Sequence, residues 1–237
     1  MNLILLLGGQ GRRFQWKGYT TPKHLLPMLD HKPLLAHILE RYAPCNARYF
    51  VPIRESYNTP ELQTLFPSDT SFYPLYKDTD GPVDSMATSG LLQNLRASSE
   101  DCLVADCDSW LDPQELLTGI AAMRRKATAG SFTRQTTDPG CAFVHIDAQG
   151  YAQEIREKVA FTPTSITGPY WWTTAHALIR DIEDGRRTGT LSIALLLNFR
   201  IKRHLKSVWL VPTTTFQHLG TPQTYETYRA EHLCPTL

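Results

Sequence analysis

The first half of the chain alternates short apolar runs with longer amphipathic segments, and this alternation constrains the fold more than any other feature. The apolar runs, which are typical of buried strands, cover residues 3–7, 49–53, 72–76 and 102–105. The amphipathic segments cover residues 33–42, 60–65, 82–95 and 113–124. Each of these segments begins with proline, whose missing N–H costs nothing in the first turn of a helix. The pattern predicts a parallel sheet whose strands are connected by crossover helices.

The second half of the chain is less regular. Strand-like runs cover residues 130–133, 141–146, 170–174 and 208–211, and no linker or repeat separates them from the first half. A hydrophobic content of 42% is ample for the core of a chain of 237 residues. We therefore expect one α/β domain with a Rossmann-like, mostly parallel central sheet, to which the second half adds a further lobe.

Composition argues against several classes of protein. The formal net charge is +1, so no overall electrostatic attraction draws the chain to nucleic acid or to a membrane surface. Five cysteines without a CxxC pair favour reduced thiols and argue against a zinc site. They are Cys45, Cys102, Cys107, Cys141 and Cys234. The amino terminus has no basic region before its apolar run, and no run approaches the roughly 20 apolar residues of a membrane span, so we expect a cytoplasmic protein.

The first apolar run ends in a glycine-rich, basic loop, GGQGRRF, and a Pro-Lys pair follows it. Three glycines would let backbone N–H groups approach a phosphate, and three basic side chains would neutralise its charge. These residues are Gly8, Gly9, Gly11, Arg12, Arg13 and Lys23. The loop is neither a Walker A motif nor a dinucleotide fingerprint, since no Gly-Lys-Ser/Thr follows and Phe14 replaces the third glycine. The loop predicts a cradle for a polyphosphate, and the alternative is an ordinary turn with solvated arginines.

A second polar feature, VADCDSWLD, begins at the end of the apolar run at 102–105. In an extended segment Asp106 and Asp108 point to the same side, so two carboxylates would converge there. Such a pair suits Mg²⁺, which takes one or two carboxylates and fills its other positions with water and substrate phosphates. The alternative is simple turn chemistry, because a DxD sequence is common. Asp112 precedes a proline and is predicted to be a helix N-cap.

A series of motifs occurs in a fixed order along nearly the whole chain. The series is GGQGRRF, PKHLLP, DGPVDSMATSGLL, VADCD, the pair Glu157-Lys158 followed by Gly168 and Tyr170, and HLGTPQTYETY. In isolation the Glu-Lys pair would be predicted to be solvated surface charge. In this order, however, the series resembles the nucleotidyltransferase family that activates sugar phosphates, whose fold is related to that of GT-A glycosyltransferases. The resemblance is strongest to short bacterial members of capsule and surface-glycan pathways.

The resemblance implies a role for each matching residue. It places the nucleotide at Leu7, Gly8, Gly9, Gly11, Arg12, Asp80, Gly81 and Asp106. It implies that Arg13, Lys23, Asp108 and Lys158 are the catalytic side chains. It places the acceptor beside Glu157, Lys158, Gly168 and Tyr170, so residues 1–128 would form a nucleotide-binding half and residues 129–237 an acceptor-binding half. Asp106 and Asp108 would hold Mg²⁺, and Asp108 is favoured as the main ligand.

One position departs from the pattern of the family. Many members carry a second metal-binding aspartate two residues before the glycine of the Gly-Thr-Pro motif, and here this residue is His218. Imidazole is a poorer ligand for Mg²⁺ than carboxylate. Four interpretations stay open: the two aspartates suffice, His218 binds a softer metal such as Mn²⁺, His218 donates a hydrogen bond to the nucleotide, or activity is weakened.

The expected reaction transfers a nucleotidyl group from an NTP to a small phosphorylated acceptor, a sugar 1-phosphate, with release of pyrophosphate. One alternative is a cytidylyltransferase for a non-sugar phosphate, in which Trp171 or Trp172 would hold a cationic acceptor. Two others are a glycosyltransferase of the related fold and a non-catalytic relative that binds a nucleotide sugar. The sequence indicates neither the nucleobase, nor the acceptor, nor an oligomeric state.

Overall fold

The computed structural model describes residues 1–204 and 206–233, so Cys234 lies outside the described residues. Within them, nine strands form one sheet and two short strands form a second. The strands are β1 (Asn2–Leu6), β2 (Arg48–Arg54), β3 (Ser71–Leu75), β4 (Cys102–Asp106), β5 (Ser109–Trp110), β6 (Ala129–Gln135), β7 (Ala142–Ile146), β8 (Ala152–Glu157), β9 (Thr164–Trp172), β10 (Val208–Pro212) and β11 (Gln217–His218). The large sheet has the order β10-β6-β9-β4-β1-β2-β3, with β7 between β9 and β8, and the small sheet pairs β5 with β11.

The helices lie between these strands and after them. They are α1 (Arg12–Trp16), α2 (Leu34–Tyr42), α3 (Pro60–Gln63), α4 (Pro82–Thr88), α5 (Leu91–Leu95), α6 (Pro113–Lys126), α7 (Ala175–Arg187), α8 (Ile193–Arg203) and α9 (Pro222–Leu233). Asp112 caps α6 as predicted, since its carboxylate accepts hydrogen bonds from the backbone N–H groups of Gln114 and Glu115. None of the described helices has both the length and the apolar character of a membrane span.

The predicted parallel sheet with crossover helices is confirmed for the first half of the chain. β1 pairs in parallel with β2 and with β4, and β2 pairs in parallel with β3. β9 runs antiparallel between β4 and β6 and joins the second half to the same sheet. The carboxyl ends of the four parallel strands therefore meet at one edge, where α/β sheets bind their ligands.

The bounds of two predicted elements are wrong. The helix predicted over residues 82–95 is interrupted at Gly90, which has a φ of 84° and begins the separate helix α5. The strand predicted over residues 170–174 is only the end of β9, which begins at Thr164. Thr174 instead caps α7, because its side chain accepts a hydrogen bond from the N–H of Ala177. At Gly90 the left-handed backbone ends the helix, and at Thr174 the side-chain cap ends the strand. Both elements therefore stop before the apolar pattern of the sequence ends.

The sheet separates two hydrophobic cores. Along β1, Leu3 and Leu5 point into the core shared with α2, α6 and α9, whereas Ile4 and Leu6 point into the core shared with α4, α5, α7 and α8. This alternation explains why β1 reads as a continuous apolar run: successive side chains of a strand face opposite sides, and both sides are covered by helices.

Trp171 and Trp172 follow the same alternation and lie in opposite cores, with 1% and 0% of their surfaces exposed. Each indole N–H donates to a carboxylate, Trp171 to Asp101 at 2.9 Å and Trp172 to Asp181 at 2.8 Å. The hypothesis that one of these rings faces a ligand is therefore wrong, because burial on both sides of the sheet leaves neither ring accessible.

Asp181 is a fully buried carboxylate that joins α7, α8 and the sheet. It accepts hydrogen bonds from Trp172, from Arg200 Nε at 2.6 Å and from Arg203. Arg200 also donates to the carbonyl oxygen of Ala177. The carboxylate thus neutralises guanidinium charge that would otherwise be buried without a partner.

We predict that Asp181→Ala lowers the free energy of unfolding by about 3–5 kcal/mol, because it leaves the charge of Arg200 uncompensated in the core. Glu183→Ala is the matched control on the same helix, since its ion pair with Arg96 is exposed and such pairs contribute about 1 kcal/mol or less. Urea unfolding followed by circular dichroism measures both values. Equal effects in the two variants would contradict the buried role of Asp181.

Candidate active site

A groove at the carboxyl edge of the parallel strands consists of three adjoining cavities. The arginine cavity, of about 270 Å³, is lined by Gly11, Arg12, Arg13, Lys23, Asp108 and His218. The central cavity, of about 200 Å³, is lined by residues that include Gly8, Gly9, Lys23, Arg54, Gly81 and Asp106. The outer cavity, of about 650 Å³, is lined by residues that include Asp80, Asp106, Glu157, Lys158, Tyr170 and Ser192. Lys23 borders the first two cavities and Asp106 the last two, so the three adjoin one another along this edge and are together called the groove.

The glycine loop connects β1 to α1 along this groove. Gly11 precedes α1 with a φ of 66°, a left-handed conformation that favours glycine. The carbonyl oxygen of Gln10 accepts hydrogen bonds from the side chains of Gln15 and Tyr57, which fix the loop from both sides. A Cβ on Gly8 would lie 2.7 Å from Leu75 Cδ1 and 3.1 Å from Ser85 Oγ, so a side chain there would require both neighbours to shift.

Lys23 and Asp108 form an ion pair at the junction of the arginine and central cavities. Burial would lower the pKa of Lys23, but the carboxylate of Asp108 outweighs burial and raises it. Burial would likewise raise the pKa of Asp108, but the charges of Lys23 and His218 lower it below its usual range. Both partners are therefore ionised at neutral pH. Arg13 lines the same cavity and has no ion-pair partner within the described part of the chain.

Asp106 ends β4 and lies between the central and outer cavities. Burial, and then the charge of Asp108, raise the pKa of Asp106 to about 6, although Lys23 opposes the shift. The two carboxylates are close enough for the charge of Asp108 to act on Asp106, but they line different cavities: Asp106 lines the central and outer cavities, and Asp108 lines the arginine cavity. Cys107 between them is buried, and burial raises the pKa of its thiol to about 12, so it is not a thiolate nucleophile at neutral pH.

The small sheet places His218 beside Asp108. β11 pairs with β5 so that His218 lies opposite Ser109, and the N–H of Leu219 donates to the carbonyl oxygen of Asp108 at 2.7 Å. Burial lowers the pKa of His218, and the carboxylate of Asp108 offsets only part of this effect. Among residues 1–204 and 206–233, no three His, Cys, Asp or Glu side chains form a preformed metal site. Any cation here would therefore need oxygen ligands from water or substrate.

The outer cavity lies between β8, β9 and the loop that joins α7 to α8. The Ser192 hydroxyl of this loop donates to Glu157 Oε2 at 2.8 Å and fixes the carboxylate. The same loop packs on Gly81, where a Cβ would lie 3.1 Å from both Cβ and the carbonyl oxygen of Leu191. Lys158 has a φ of 56°, and its N–H donates to the carbonyl oxygen of Cys141 at 2.9 Å. A non-glycine residue held in this conformation is typical of functional sites.

Comparison with known proteins gives a family match over more than half of the chain. The model of the MobA-like NTP transferase domain matches residues 3–159. The chain belongs to this family. It is therefore a nucleotidyltransferase, and the resemblance seen in its motifs is confirmed. A comparison with curated proteins finds no match.

Two solved structures share the fold of this nucleotidyltransferase. A nucleoside-diphosphate-sugar pyrophosphorylase from Vibrio cholerae RC9 has 16% identity and a TM-score of 0.76, over 97% of this chain and 100% of the other. A Bacillus anthracis structure named as a glucose-1-phosphate thymidylyltransferase, in complex with sucrose, has 18% identity and a TM-score of 0.77, over 100% of this chain and 97% of the other. At these identities the likeness establishes the fold, a single α/β domain.

The structure brings most of the predicted site residues of the nucleotidyltransferase to the groove, with three differences. Leu7 is buried, and its N–H and carbonyl oxygen pair with β2, so Leu6 lines the central cavity instead. Asp80 lines the outer cavity and not the central one. Gly168 lies behind Asp106, where a Cβ would be 3.5 Å from Oδ2 of that carboxylate, and is not among the residues that line the outer cavity.

Sequence reasoning missed two parts of the groove. Arg54 lines the central cavity and pairs with Asp78 at 2.8 Å, while its Nε is buried and has no hydrogen-bond partner among the described residues. Its position at the carboxyl end of β2 was a usable signal, because ligands bind at that edge of the sheet. The loop around Ser192 gave no signal, since it carries no charged or glycine-rich motif and reaches the cavity only through tertiary packing.

His24 lies beneath the groove, next to Lys23 in sequence, and is 2% exposed. Its ring packs on Tyr57 with 4.7 Å between the centroids, and its Nε2 has no hydrogen-bond partner among the described residues. Burial, and then the charge of Lys23, lower the pKa of His24 to about 4. The imidazole is therefore neutral in the folded protein and becomes protonated more readily on unfolding.

We predict that His24 makes the protein sensitive to acid. A histidine whose pKa is lowered by folding contributes stability above its ordinary pKa of about 6.5, and this contribution is lost as the pH falls towards about 4. We expect His24→Gln to reduce the loss of unfolding free energy between about pH 7 and about pH 4 by roughly 3 kcal/mol. The exposed His145→Gln is the control, and urea unfolding at each pH is the measurement. An unchanged pH dependence in His24→Gln would contradict the prediction.

Proposed function

We propose that this nucleotidyltransferase transfers a nucleotidyl group from an NTP to a sugar 1-phosphate and releases pyrophosphate, which makes an activated precursor for surface glycan. The main support is the arrangement of the three adjoining cavities along the carboxyl edge of the parallel strands. A triphosphate between the glycine loop and Arg13 would place its α-phosphate near Lys23 and Asp106. An acceptor in the outer cavity would approach the same point from the opposite side, past Lys158.

The reaction needs positioning and charge more than it needs a nucleophilic side chain. An oxygen of the acceptor phosphate forms a bond to the α-phosphorus, and the bond to the leaving pyrophosphate breaks in line with it. Lys23 and Arg13 would stabilise the charge that develops on the oxygens of the transferred and leaving groups. No general base is required, because the acceptor phosphate is already ionised at neutral pH.

Nucleotidyltransferases of this family commonly use a divalent cation. The carboxylates of Asp106 and Asp108 have the chemistry to hold one. Asp106 borders the central and outer cavities and Asp108 borders the arginine cavity, and each would offer a carboxylate oxygen to Mg²⁺ or Mn²⁺, which takes a few protein oxygens and fills its other positions with water and phosphate oxygens. When bound, the cation would neutralise triphosphate charge. Lys23 already neutralises the charge of Asp108, so the charge of Asp106 is the less neutralised of the two and would attract a cation more strongly.

The two halves of the chain would divide the substrates between them. Residues 1–128 supply the glycine loop and both aspartates, and residues 129–237 supply Glu157, Lys158 and the Ser192 loop. Lys158 would bind the acceptor phosphate, and the carboxylate of Glu157, fixed by Ser192, would accept hydrogen bonds from sugar hydroxyls.

A second acceptor class is favoured by the charge of the outer cavity. Three carboxylates line it, those of Asp80, Asp106 and Glu157, against one lysine. Such an excess of negative charge would also suit an acceptor that carries an ammonium group, such as an amino-alcohol phosphate, with the ring of Tyr170 beside it.

A pyrophosphate-release assay tests both versions. Each of the common NTPs is incubated with Mg²⁺ or Mn²⁺ and with either a panel of sugar 1-phosphates or a panel of amino-alcohol phosphates. Pyrophosphate formed with a sugar 1-phosphate supports the main proposal, and formation only with amino-alcohol phosphates supports the second. Transfer of sugar from a nucleotide sugar without pyrophosphate release would identify a glycosyltransferase, and binding without turnover would identify a non-catalytic relative.

We predict that Arg13→Ala and Lys23→Ala each lower kcat by about a hundredfold or more, because their charges act where negative charge develops. The dissociation constant of the NTP should rise far less than kcat falls. Lys17→Ala removes an exposed lysine just after α1 and serves as the control with unchanged kinetics. Equal losses in binding and turnover would mean that the two side chains only bind the ground state.

We predict that Lys158→Ala raises KM for the acceptor about tenfold, the scale of one charge-assisted phosphate contact, with little change in NTP affinity. Ser192→Ala should raise the same KM by a smaller factor of about five, since it removes one hydrogen bond from Glu157. Arg156→Ala, an exposed neighbour paired with Glu154, is the control. Normal acceptor saturation in Lys158→Ala would show that the Glu-Lys pair is surface charge.

A further inference from the structure

The groove changes the sign of its charge along its length. Three cationic side chains, those of Arg12, Arg13 and Lys23, line the arginine cavity against the single carboxylate of Asp108. The outer cavity has the reverse balance, with three carboxylates against one lysine. An anion is therefore attracted to the arginine cavity, and a cation is attracted to the opposite end of the groove.

The positive charge of the arginine cavity is only partly neutralised by the protein. Lys23 pairs with Asp108 Oδ2, whereas neither Arg12 nor Arg13 forms an ion pair within the described residues. Arg12 Nε donates to the neutral side chain of Gln10, which orients the guanidinium without cancelling its charge. Both arginines are exposed, so a ligand that enters the cavity can reach them.

His218 and Gly220 complete the lining of this cavity. A Cβ on Gly220 would lie 2.3 Å from His218 Nε2 and 2.8 Å from Asp108 Oδ2, so both polar atoms pack against the glycine. The imidazole adds a polar group but no negative charge. A divalent cation here would meet three cationic side chains, and Asp108 Oδ2 already holds Lys23. The lining of the arginine cavity therefore fits a phosphate anion better than a divalent cation.

We infer that the arginine cavity binds the pyrophosphate unit of the NTP, and the pyrophosphate that leaves, through the chain's own cationic side chains and without a divalent cation. This inference rests on the proposed nucleotidyl transfer only in taking pyrophosphate as the ligand. Guanidinium groups donate in pairs to phosphate oxygens, so Arg12 would join Arg13 and Lys23 as a phosphate-binding residue. Asp106 borders the central and outer cavities, so a cation attracted by its carboxylate would lie outside the arginine cavity.

The test is isothermal titration of the full chain with inorganic pyrophosphate, in EDTA and in excess Mg²⁺. We expect pyrophosphate to bind in EDTA at least as tightly as in Mg²⁺, because Mg²⁺ in solution withdraws free pyrophosphate from the protein. In EDTA an NTP should compete with pyrophosphate, and a nucleoside monophosphate, which lacks the pyrophosphate unit, should compete far more weakly. Arg12→Ala should weaken binding in EDTA about tenfold, the scale of one charge-assisted contact.

His218→Asp gives the sharpest contrast, because it adds a second carboxylate to the lining of the cavity. It should weaken pyrophosphate binding in EDTA by about tenfold or more, and Mg²⁺ should then restore binding, since two carboxylates can hold the cation beside the phosphate. His218→Asn removes the imidazole without adding charge and should weaken binding by a smaller factor. The matched control is His145→Asp, which adds the same charge at an exposed position of β7 outside the groove.

Circular dichroism and thermal melts verify that each variant is folded. Binding of pyrophosphate only with Mg²⁺, no binding in either condition, or equal effects of His218→Asp and His145→Asp would each overturn the inference. Turnover is scored separately with the acceptor panels. Turnover combined with Mg²⁺-dependent binding of pyrophosphate refutes only the inference, and pyrophosphate binding in EDTA without turnover refutes only the proposed function.

Discussion

The ion pair between Lys23 and Asp108 is the interaction on which the groove depends. Its partners come from distant parts of the chain. Lys23 begins a single 3-10 turn, Lys23–Leu25, that follows α1, and Asp108 lies in the turn between β4 and β5. Burying either charge alone would be costly, so each partner keeps the other ionised. The pair therefore joins the arginine cavity to the strand end that carries the aspartates, and it fixes the charge that any ligand meets there.

The topology of the sheet explains why this pair can form. β1 and β4 are adjacent and parallel, so the glycine loop and Asp106 emerge at the same edge although about a hundred residues separate them. β9 inserts antiparallel beside β4 and brings Tyr170 to the same edge from the opposite chain direction. The outer cavity is completed by the Ser192 loop, which packs closely on Gly81: a Cβ there would lie 3.1 Å from Leu191.

Much of this arrangement could be predicted from the sequence, because strand ends and glycine loops are local signals. The parallel strands and the cap at Asp112 follow from spacing alone. The break at Gly90 depends on a left-handed backbone that the apolar pattern does not report. The burial of Trp171 agrees with the usual place of such an aromatic cluster in the core, whereas the position of the Ser192 loop depends on tertiary packing, so no local pattern could reveal it. Arg54 lay at the expected edge and could have been found by the topological rule.

The structure contains two clusters of carboxylates that differ in how far their negative charge is neutralised. Asp181 accepts hydrogen bonds from Trp172 and from two arginines and borders none of the three cavities, so its charge is fully used in holding helices to the sheet. Asp106 and Asp108 lie near one part-buried lysine that pairs only with Asp108, and burial, together with the charge of Asp108, raises the pKa of Asp106 to about 6. A satisfied carboxylate stabilises the fold, whereas an unsatisfied one beside a cavity attracts a cation or a protonated ligand. The difference in charge neutralisation between the two clusters therefore indicates that charged ligands bind in the groove and not beside Asp181.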